Sequence, residues 1–322
     1  MQKKLRHIPP YDFQYRFEVS KEFAGKPLID FYTTRFHFKP REYWLELIAS
    51  DAVSVNHEAR PPDSLLAEGD TIRTWRRDVQ EPPVNDDIEI LCHEDGLFAL
   101  NKKAPIPVHP SGRYFRNSLT TILREKFPAT NFHTIHRLDL WTTGVLLLAT
   151  TPLMAKILHG QVEKQKIKKS YGVLAVGDFG QIPFTIDESI GRIQGAFRGT
   201  GTTAQNAKVA VTHFTPLLQK PIRLHGENTT LSFLKAEPIT GRTNQIRVHT
   251  TTAGGYILHD PIYSPHAGKN SDPPFLGLHC REMAFIVTAA RPMTITAPWP
   301  EGFLEYFSRE ELDDCFEKKI TL

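Results

Sequence analysis

Between His136 and Ala149 the chain reads His-Arg-Leu-Asp-Leu-Trp-Thr-Thr-Gly-Val-Leu-Leu-Leu-Ala. One carboxylate, Asp139, stands just before a Thr-Thr-Gly turn, and the apolar run Val145–Ala149 follows at once. A short apolar run bounded by a turn reads as a buried strand, so a core must close around it. The acid is then held by a buried element rather than left as a floating surface charge. Arg137 precedes it by two residues. Two roles suit Asp139: a cap that accepts backbone N–H bonds of the turn, or a nucleophile or general base held by a nearby cation.

Two more segments carry candidate chemistry. In Thr240-Gly241-Arg242-Thr243-Asn244-Gln245-Ile246-Arg247-Val248-His249, Gly241 suits a tight turn. Thr243 or Asn244 can cap a helix running to about Ala253, where Gly254 and Gly255 stop it. Ile246 and Ala253, both apolar, share the face of that helix expected to be buried, and Arg247 projects from its edge toward a carboxylate or a phosphate. In Lys168-Lys169-Ser170-Tyr171-Gly172-Val173-Leu174-Ala175-Val176 the alternation predicts a strand. Lys169, Tyr171 and Val173 share one face; Ser170, Gly172 and Leu174 share the other. A tyrosine among lysines suits a nucleobase stacked above a basic rim, or simply a half-buried strand position.

The 322 residues suffice for two domains, or one large domain with an appendage. Residues 1–25 read as an N-terminal extension whose alternating Tyr11, Phe13, Tyr15 and Phe17 predict a strand. Residues 26–80 read as a small separate module, with a helix after Pro40 and a strand at Val53–His57. Residues 81–87, the end of the polar, proline-bearing stretch that starts at Asp78, read as a linker. The remainder, 88–308, mixes strands (Ile88–Leu91, Leu97–Leu100, Val145–Ala149, Ser170–Val176, Ala207–Phe214, Leu231–Glu237) with helices (Ser118–Phe127, Pro152–Gln165), and 309–322 is left as a tail. No βαβ rhythm repeats, so the expected class is α+β: a mixed, largely antiparallel sheet flanked by helices, preceded by a small α/β module.

Composition narrows the function classes. No apolar run reaches the roughly 18 residues of a membrane span, and the basic start Met1–Arg6 leads into His7-Ile8-Pro9-Pro10 rather than an apolar signal core. Cys92, Cys280 and Cys315 are scattered and form no Cys-x-x-Cys pair, so a reducing cytoplasm is the expected compartment. The net charge of +3 is mild, but Lys156, Lys164, Lys166, Lys168 and Lys169 cluster around a single acid, Glu163, and Arg73, Arg76 and Arg77 flank Trp75. Neither His-Glu-x-x-His nor Pro-Cys-x-x-Cys occurs, which argues against a metal hydrolase or zinc deaminase despite 14 histidines.

Taken together, the three segments resemble the RluA-type pseudouridine synthases. Members of that family carry a His-Arg-Leu-Asp-x-x-Thr-Ser-Gly segment, a Lys-x-Tyr strand and a Gly-Arg-Thr-His-Gln-Ile-Arg-Val-His segment, in this order. Leu97–Lys103 with Val108-His109-Pro110, Ala210–Phe214, His259-Asp260-Pro261-Ile262-Tyr263 and Leu278-His279-Cys280 resemble further family segments, so the likeness spans about residues 88–300. Residues 26–80 resemble, less strongly, the alpha-L RNA-binding module often placed ahead of this domain. Four positions depart from the family pattern: Thr143 for serine, Leu140 for a common arginine, Asn244 for a common histidine, and the order Lys103-Ala104-Pro105.

The resemblance implies the pseudouridine synthase fold and isomerisation of uridine in structured tRNA or rRNA, by a monomer with neither metal nor organic cofactor. It implies Asp139 as nucleophile or anion stabiliser, Arg247 as the cation that pairs with and orients it, and Tyr171 as the stacking partner of uracil and an aid to removal of the carbon 5 proton. It places Arg137, His136, Thr142, Lys169, Arg242, Gln245 and Ile246 against RNA or substrate. The contrasting expectation is an RNA-binding protein of the same fold without turnover; the intact Asp139, Tyr171 and Arg247 speak against it.

Overall fold

The computed structural model describes residues 5–194, 197–201, 204–268, 272–288 and 291–317. The chain separates into two compact units, His7–Pro82 and the remainder.

The smaller unit contains β1 (Tyr11–Glu18), α1 (Leu28–Arg35), α2 (Arg41–Ala49), β2 (Val53–Val55) and β3 (Thr71–Val79). Its antiparallel sheet has the order β1-β3-β2. Pro40 occupies the N-cap of α2, as its position ahead of the apolar pattern suggests. Leu28, Phe31 and Tyr32 of α1 and Trp44 and Ile48 of α2 bury against Val53, Val55 and Ile72 of the sheet. The strand expected in an N-terminal extension forms, but it belongs to this unit. Its aromatic face needs a cover, and β1 pairs with β3 from Tyr11↔Val79 to Glu18↔Thr71, placing Phe17 opposite Ile72. The stretch expected as a linker at 81–87 is not loose throughout: Val84 is fully buried and exchanges backbone hydrogen bonds with Arg6 (2.7 and 3.2 Å).

The larger unit opens with the hairpin β4 (Ile88–Glu94) and β5 (Leu97–Lys102), turning at Asp95-Gly96, both at positive φ. It continues through α3 (Leu119–Lys126), β6 (His133–Thr134), β7 (Thr143–Ala149), α4 (Pro152–Glu163) and β8 (Lys168–Val176). Helix α4 starts where Thr151 Oγ1 accepts the Met154 N–H and Pro152 fills the first turn. Next come β9 (Phe184–Asp187), β10 (Ile190–Gln194), β11 (Phe197–Gly199), β12 (Gln205–Lys208), β13 (Val211–Leu224) and β14 (Glu227–Pro238). The chain ends through α5 (Gln245–Thr252), β15 (Tyr256–Ile257), β16 (Leu278–Thr288), β17 (Arg291–Thr296), α6 (Glu301–Leu304) and α7 (Arg309–Glu317).

The central sheet runs β4-β5-β7-β16-β8-β14-β13-β9, with β6, β15 and β17 attached to β7, β8 and β16. Its described neighbours pair antiparallel except β7 and β16, which run parallel through His279↔Thr143 and Cys280↔Gly144. This is the expected mixed, largely antiparallel α+β sheet. Strand β8 shows the period-two alternation: Tyr171, Val173 and Ala175 enter the core that holds β5, β7, α3 and α4, whereas Leu174 and Val176 enter a second core with Phe233, Trp299 and Phe303.

Two expectations need correction. The strand expected at Ala207–Phe214 divides, because β12 pairs with β10 in a separate three-stranded sheet and β13 pairs with β9 and β14 in the central one. Beyond Phe214 strand β13 has no outer neighbour among the described residues, so Pro216 and Pro221 are tolerated at that edge and the hairpin extends to His225-Gly226. The expected tail at 309–322 contains α7, whose Leu312 and Phe316 are buried in the second core. Residues 318–322 lie outside the described residues.

Candidate active site

Gly144 is the second residue of β7, and the reason for glycine there is steric. Its φ is +108°, and a Cβ at that position would collide with the backbone carbonyl oxygen of Cys280 on the parallel neighbour β16. The turn that carries Asp139 therefore enters the sheet where two strands approach closely. The Thr142 N–H donates to the Asp139 carbonyl (3.2 Å), and Ile106 N–H donates to the Leu140 carbonyl (3.1 Å). Beneath the turn lies Lys102, almost fully buried at the end of β5. Its Nζ donates to the carbonyls of Thr142 (2.8 Å), Leu140 (3.1 Å) and Lys103 (3.1 Å). Burial pulls the Lys102 amine down to about 7, and the nearby Asp139 charge offsets part of that drop.

Arg247 faces Asp139 from the first turn of α5. Its Nη1 stands 3.5 Å from Asp139 Oδ2, while Nε and Nη2 each donate to Asp260 at 2.7 Å. The Arg247 and Asp260 side chains are 5% and 0% exposed, whereas Asp139 retains 24%. Asp260 is thus the principal partner of the arginine, and Asp139 receives its remaining edge. Burial disfavours the Arg247 charge, but Asp260, then Asp139, hold the guanidinium above its ordinary pKa. Asp260 Oδ1 also accepts the N–H groups of Ile262 and Tyr263 at 2.8 and 3.0 Å, so its own position is fixed. The Arg247 guanidinium sits 5.1 Å above the Tyr263 ring.

Asn244 occupies the N-cap of α5 in the left-handed region (φ 58°), yet its side chain makes no cap bond. Instead Oδ1 accepts from Arg247 Nη1 (3.1 Å) and Nδ2 donates to Tyr263 Oη (3.1 Å). The departure from the family pattern at this position therefore serves the arginine rather than the helix end.

A cavity of about 560 Å³ brings together every residue expected at the site: Asp139, Tyr171, Arg247, Arg137, His136, Thr142, Lys169, Arg242, Gln245 and Ile246. That volume suits a nucleoside-sized ligand. Leu138, Ile167, Ile246 and Leu278 supply apolar wall. Tyr171 is 7% exposed, and burial, the neighbouring Cys280 thiol and the Asp139 charge push its pKa well above the ordinary value. It remains a neutral phenol at physiological pH.

The remaining expected residues divide by what they have free. Thr142 Oγ1 is buried without a hydrogen-bond partner among the described residues, and so is open to a ligand. Arg137 and Arg242 are exposed at the cavity. Gln245 is committed within the protein. Its Oε1 accepts from Thr240 Oγ1 and Arg242 N–H, and its Nε2 donates to Val211 O and Thr212 Oγ1, all within 2.8–2.9 Å. Those four bonds fill the capacity of the amide, so Gln245 fixes the Gly241–Asn244 loop against β13 rather than reading a ligand. His136 Nε2 accepts the Leu147 N–H (3.1 Å), and burial pulls its pKa well below the ordinary value. Lys169 does not join the basic rim: Lys164, Lys166 and Lys168 are exposed, but Lys169 turns into the cavity wall, where burial lowers its pKa.

Three residues at the site carried no expected role. Lys102 is marked in the sequence as a lysine closing a strand that opens with four apolar residues, Asp260 and Tyr263 only as parts of a family-like segment. Among the described residues no group of three or more His, Cys, Asp or Glu side chains is arranged to hold a metal ion, and no helix is long and apolar enough to cross a membrane.

Comparison with known proteins finds RNA pseudouridine synthases. The profile described as RNA pseudouridylate synthase matches residues 96–252, which contain Asp139, Tyr171 and Arg247. The chain is 31% identical to RNA pseudouridine synthase 7 of Arabidopsis thaliana over 80% of its own length and 65% of that protein's. It is 31% identical to the mitochondrial tRNA pseudouridine(32) synthase of Saccharomyces cerevisiae over 81% of its own length and 55% of that protein's. It therefore spans somewhat over half the length of these curated relatives. The solved structure of human RNA pseudouridylate synthase domain containing 1 shares the fold, at a TM-score of 0.59 and 22% identity, over 75% of this chain and 94% of that one. By sequence match and by fold, the chain is similar to the RNA pseudouridylate synthases.

Proposed function

We propose that the protein isomerises uridine in RNA to pseudouridine at the cavity shared by Asp139, Tyr171 and Arg247. The observation that carries this reading is the meeting of those three side chains, from three separate segments, around one nucleoside-sized space. Asp139 acts as the nucleophile or anion stabiliser at the glycosidic bond, on a turn whose carbonyls Lys102 holds. Arg247 orients the carboxylate from an edge left free by Asp260. Tyr171 stacks on the uracil and keeps the detached base from leaving while it turns and rejoins through carbon 5. Its raised pKa keeps the hydroxyl protonated at rest, so any role in removing the carbon 5 proton starts from the phenol. The reaction conserves atoms and oxidation state, and no cofactor is part of this reading.

A paired uridine must leave its helix to reach such a cavity, at a cost of about a few kcal/mol. Stacking on an aromatic side chain returns about 1–3 kcal/mol. Arg137, Arg242 and the exposed Lys164, Lys166 and Lys168 contact phosphates, and Thr142 Oγ1 offers a bond to the base. The substrate is a structured tRNA or rRNA, and the protein acts as a monomer in the cytoplasm. The unit His7–Pro82 serves as an alpha-L-type RNA-binding module, and its removal weakens RNA affinity.

Total RNA from cells lacking the protein, labelled with uridine tritiated at carbon 5, provides the test. The wild type releases tritium and Asp139→Ala does not. Equal release by both would eliminate Asp139 as the catalyst.

A further inference from the structure

Beside the catalytic cavity lies a second hollow of about 530 Å³, walled by the separate sheet β11-β10-β12. Four cations line it: Arg192 on β10, Arg198 on β11, Lys208 on β12, and Arg242 ahead of α5. Among the described residues no acidic side chain lines it. The sheet register sharpens the point, because Arg192 stands directly opposite Arg198 on the neighbouring strand. An anion between the two strands therefore meets a guanidinium from each. The two hollows meet along Gly241, Arg242 and Thr243, which line both.

We infer that this second hollow is a subsite for the RNA phosphodiester backbone next to the reacting nucleotide, with Arg242 as the shared post between base and backbone. The inference rests on the proposed reaction for the identity of the polyanion, and on charge and register for the site itself. Arginine forks suit phosphate oxygens. Gln205 and Asn206, exposed on the same wall, can each donate and accept, as a ribose 2′-hydroxyl requires. The wall is also tied to the catalytic cavity. Phe197 packs 5.0 Å from the Tyr263 ring, and the Arg198 N–H donates to Tyr263 Oη (3.2 Å). Tyr263 in turn lies under the Arg247 guanidinium. Backbone held in the hollow is therefore braced against the element that supports the catalytic arginine.

The test reads binding without turnover. A short fluorescein-labelled oligouridylate is titrated by anisotropy with the full chain, across a range of salt concentrations. The double variant Arg192→Ala/Lys208→Ala, both exposed positions, should bind about tenfold more weakly. Its salt slope should be shallower by about 1.4, as expected for two lost single-strand phosphate contacts. Arg192→Lys/Lys208→Arg should keep affinity and slope near wild type. An unchanged affinity and slope in the alanine pair overturns the subsite, and so does equal weakening by the charge-conserving pair, which would trace the loss to packing. Tritium release by Asp139→Ala bears on the reaction alone, so failure of either idea is visible without the other.

Discussion

Arg247 gives two of its nitrogens to Asp260 at 2.7 Å and only the third, at 3.5 Å, to Asp139. The arginine is thus anchored by an acid that solvent does not reach, and the acid at the cavity meets a guanidinium already in place. Breaking a buried pair by removing one partner costs about 3–5 kcal/mol, because the other charge is left uncompensated. Asp260→Asn should lower the urea midpoint accordingly and reduce tritium release, as Arg247 loses its anchor. Replacing both partners, Asp260→Leu with Arg247→Met, should recover much of the stability and none of the activity. A single Asp260→Asn variant as stable and active as wild type would show that the anchor is dispensable.

Lys102 gives a pH dependence of known sign. Its folded pKa, about 7, lies below the ordinary 10.5. The unfolded chain therefore holds this proton over a window, from about 7 to 10.5, in which the folded chain has released it. Stability contributed at this position rises with pH through that window, by at most about 1.4 kcal/mol per pH unit. Lys102→Met should flatten that part of the stability profile measured by urea unfolding. The turn that carries Asp139 responds in the opposite sense. A neutral amine has two N–H donors for three carbonyls, so the hold on Leu140 and Thr142 weakens and turnover should decline above pH 7. Identical stability profiles for wild type and Lys102→Met would remove the lysine from both effects.

Most of this architecture is legible in the sequence where one period or one motif decides it. The alternation in β8 foretells which face Tyr171 joins, and the apolar run after the Thr-Thr-Gly turn foretells the buried strand at Val145–Ala149, which the fold starts two residues earlier at Thr143. What escapes is long-range. Asp260 lies 13 residues beyond Arg247, and nothing local says that it, rather than Asp139, will take the guanidinium fork. Gln245 looks like a ligand contact until β13 is seen to absorb its amide nitrogen. The division of Ala207–Phe214 between two sheets is equally invisible, since both halves are strand-like and only their partners differ.

Tyr171 separates binding from chemistry. Tyr171→Phe keeps an aromatic face and loses the hydroxyl that meets Cys280. If the hydroxyl assists proton transfer, single-turnover rates should fall by about 10²–10⁴-fold while RNA affinity stays within a factor of about two. Because the pKa is raised well above its ordinary value, no alkaline limb from this group should enter the wild-type pH–rate profile below about pH 10. A rate equal to wild type would restrict Tyr171 to stacking.

Gly144 tests the crossing on which the Asp139 turn rests. Alanine there meets two penalties, a positive φ that L residues avoid and a methyl directed into the Cys280 carbonyl. The parallel contact between β7 and β16 must open to admit it, and overpacking of this kind costs about 1–3 kcal/mol. Gly144→Ala should therefore lower the urea midpoint. It should also reduce turnover more than stability alone explains, because any shift of β7 moves the turn that Lys102 grips. Ser170→Ala, on the opposite face of β8 from Tyr171, is the matched control for a small change in the same sheet. If Gly144→Ala unfolds like wild type, the close approach is not what requires glycine, and the rigidity of the Asp139 turn must come from Lys102 instead.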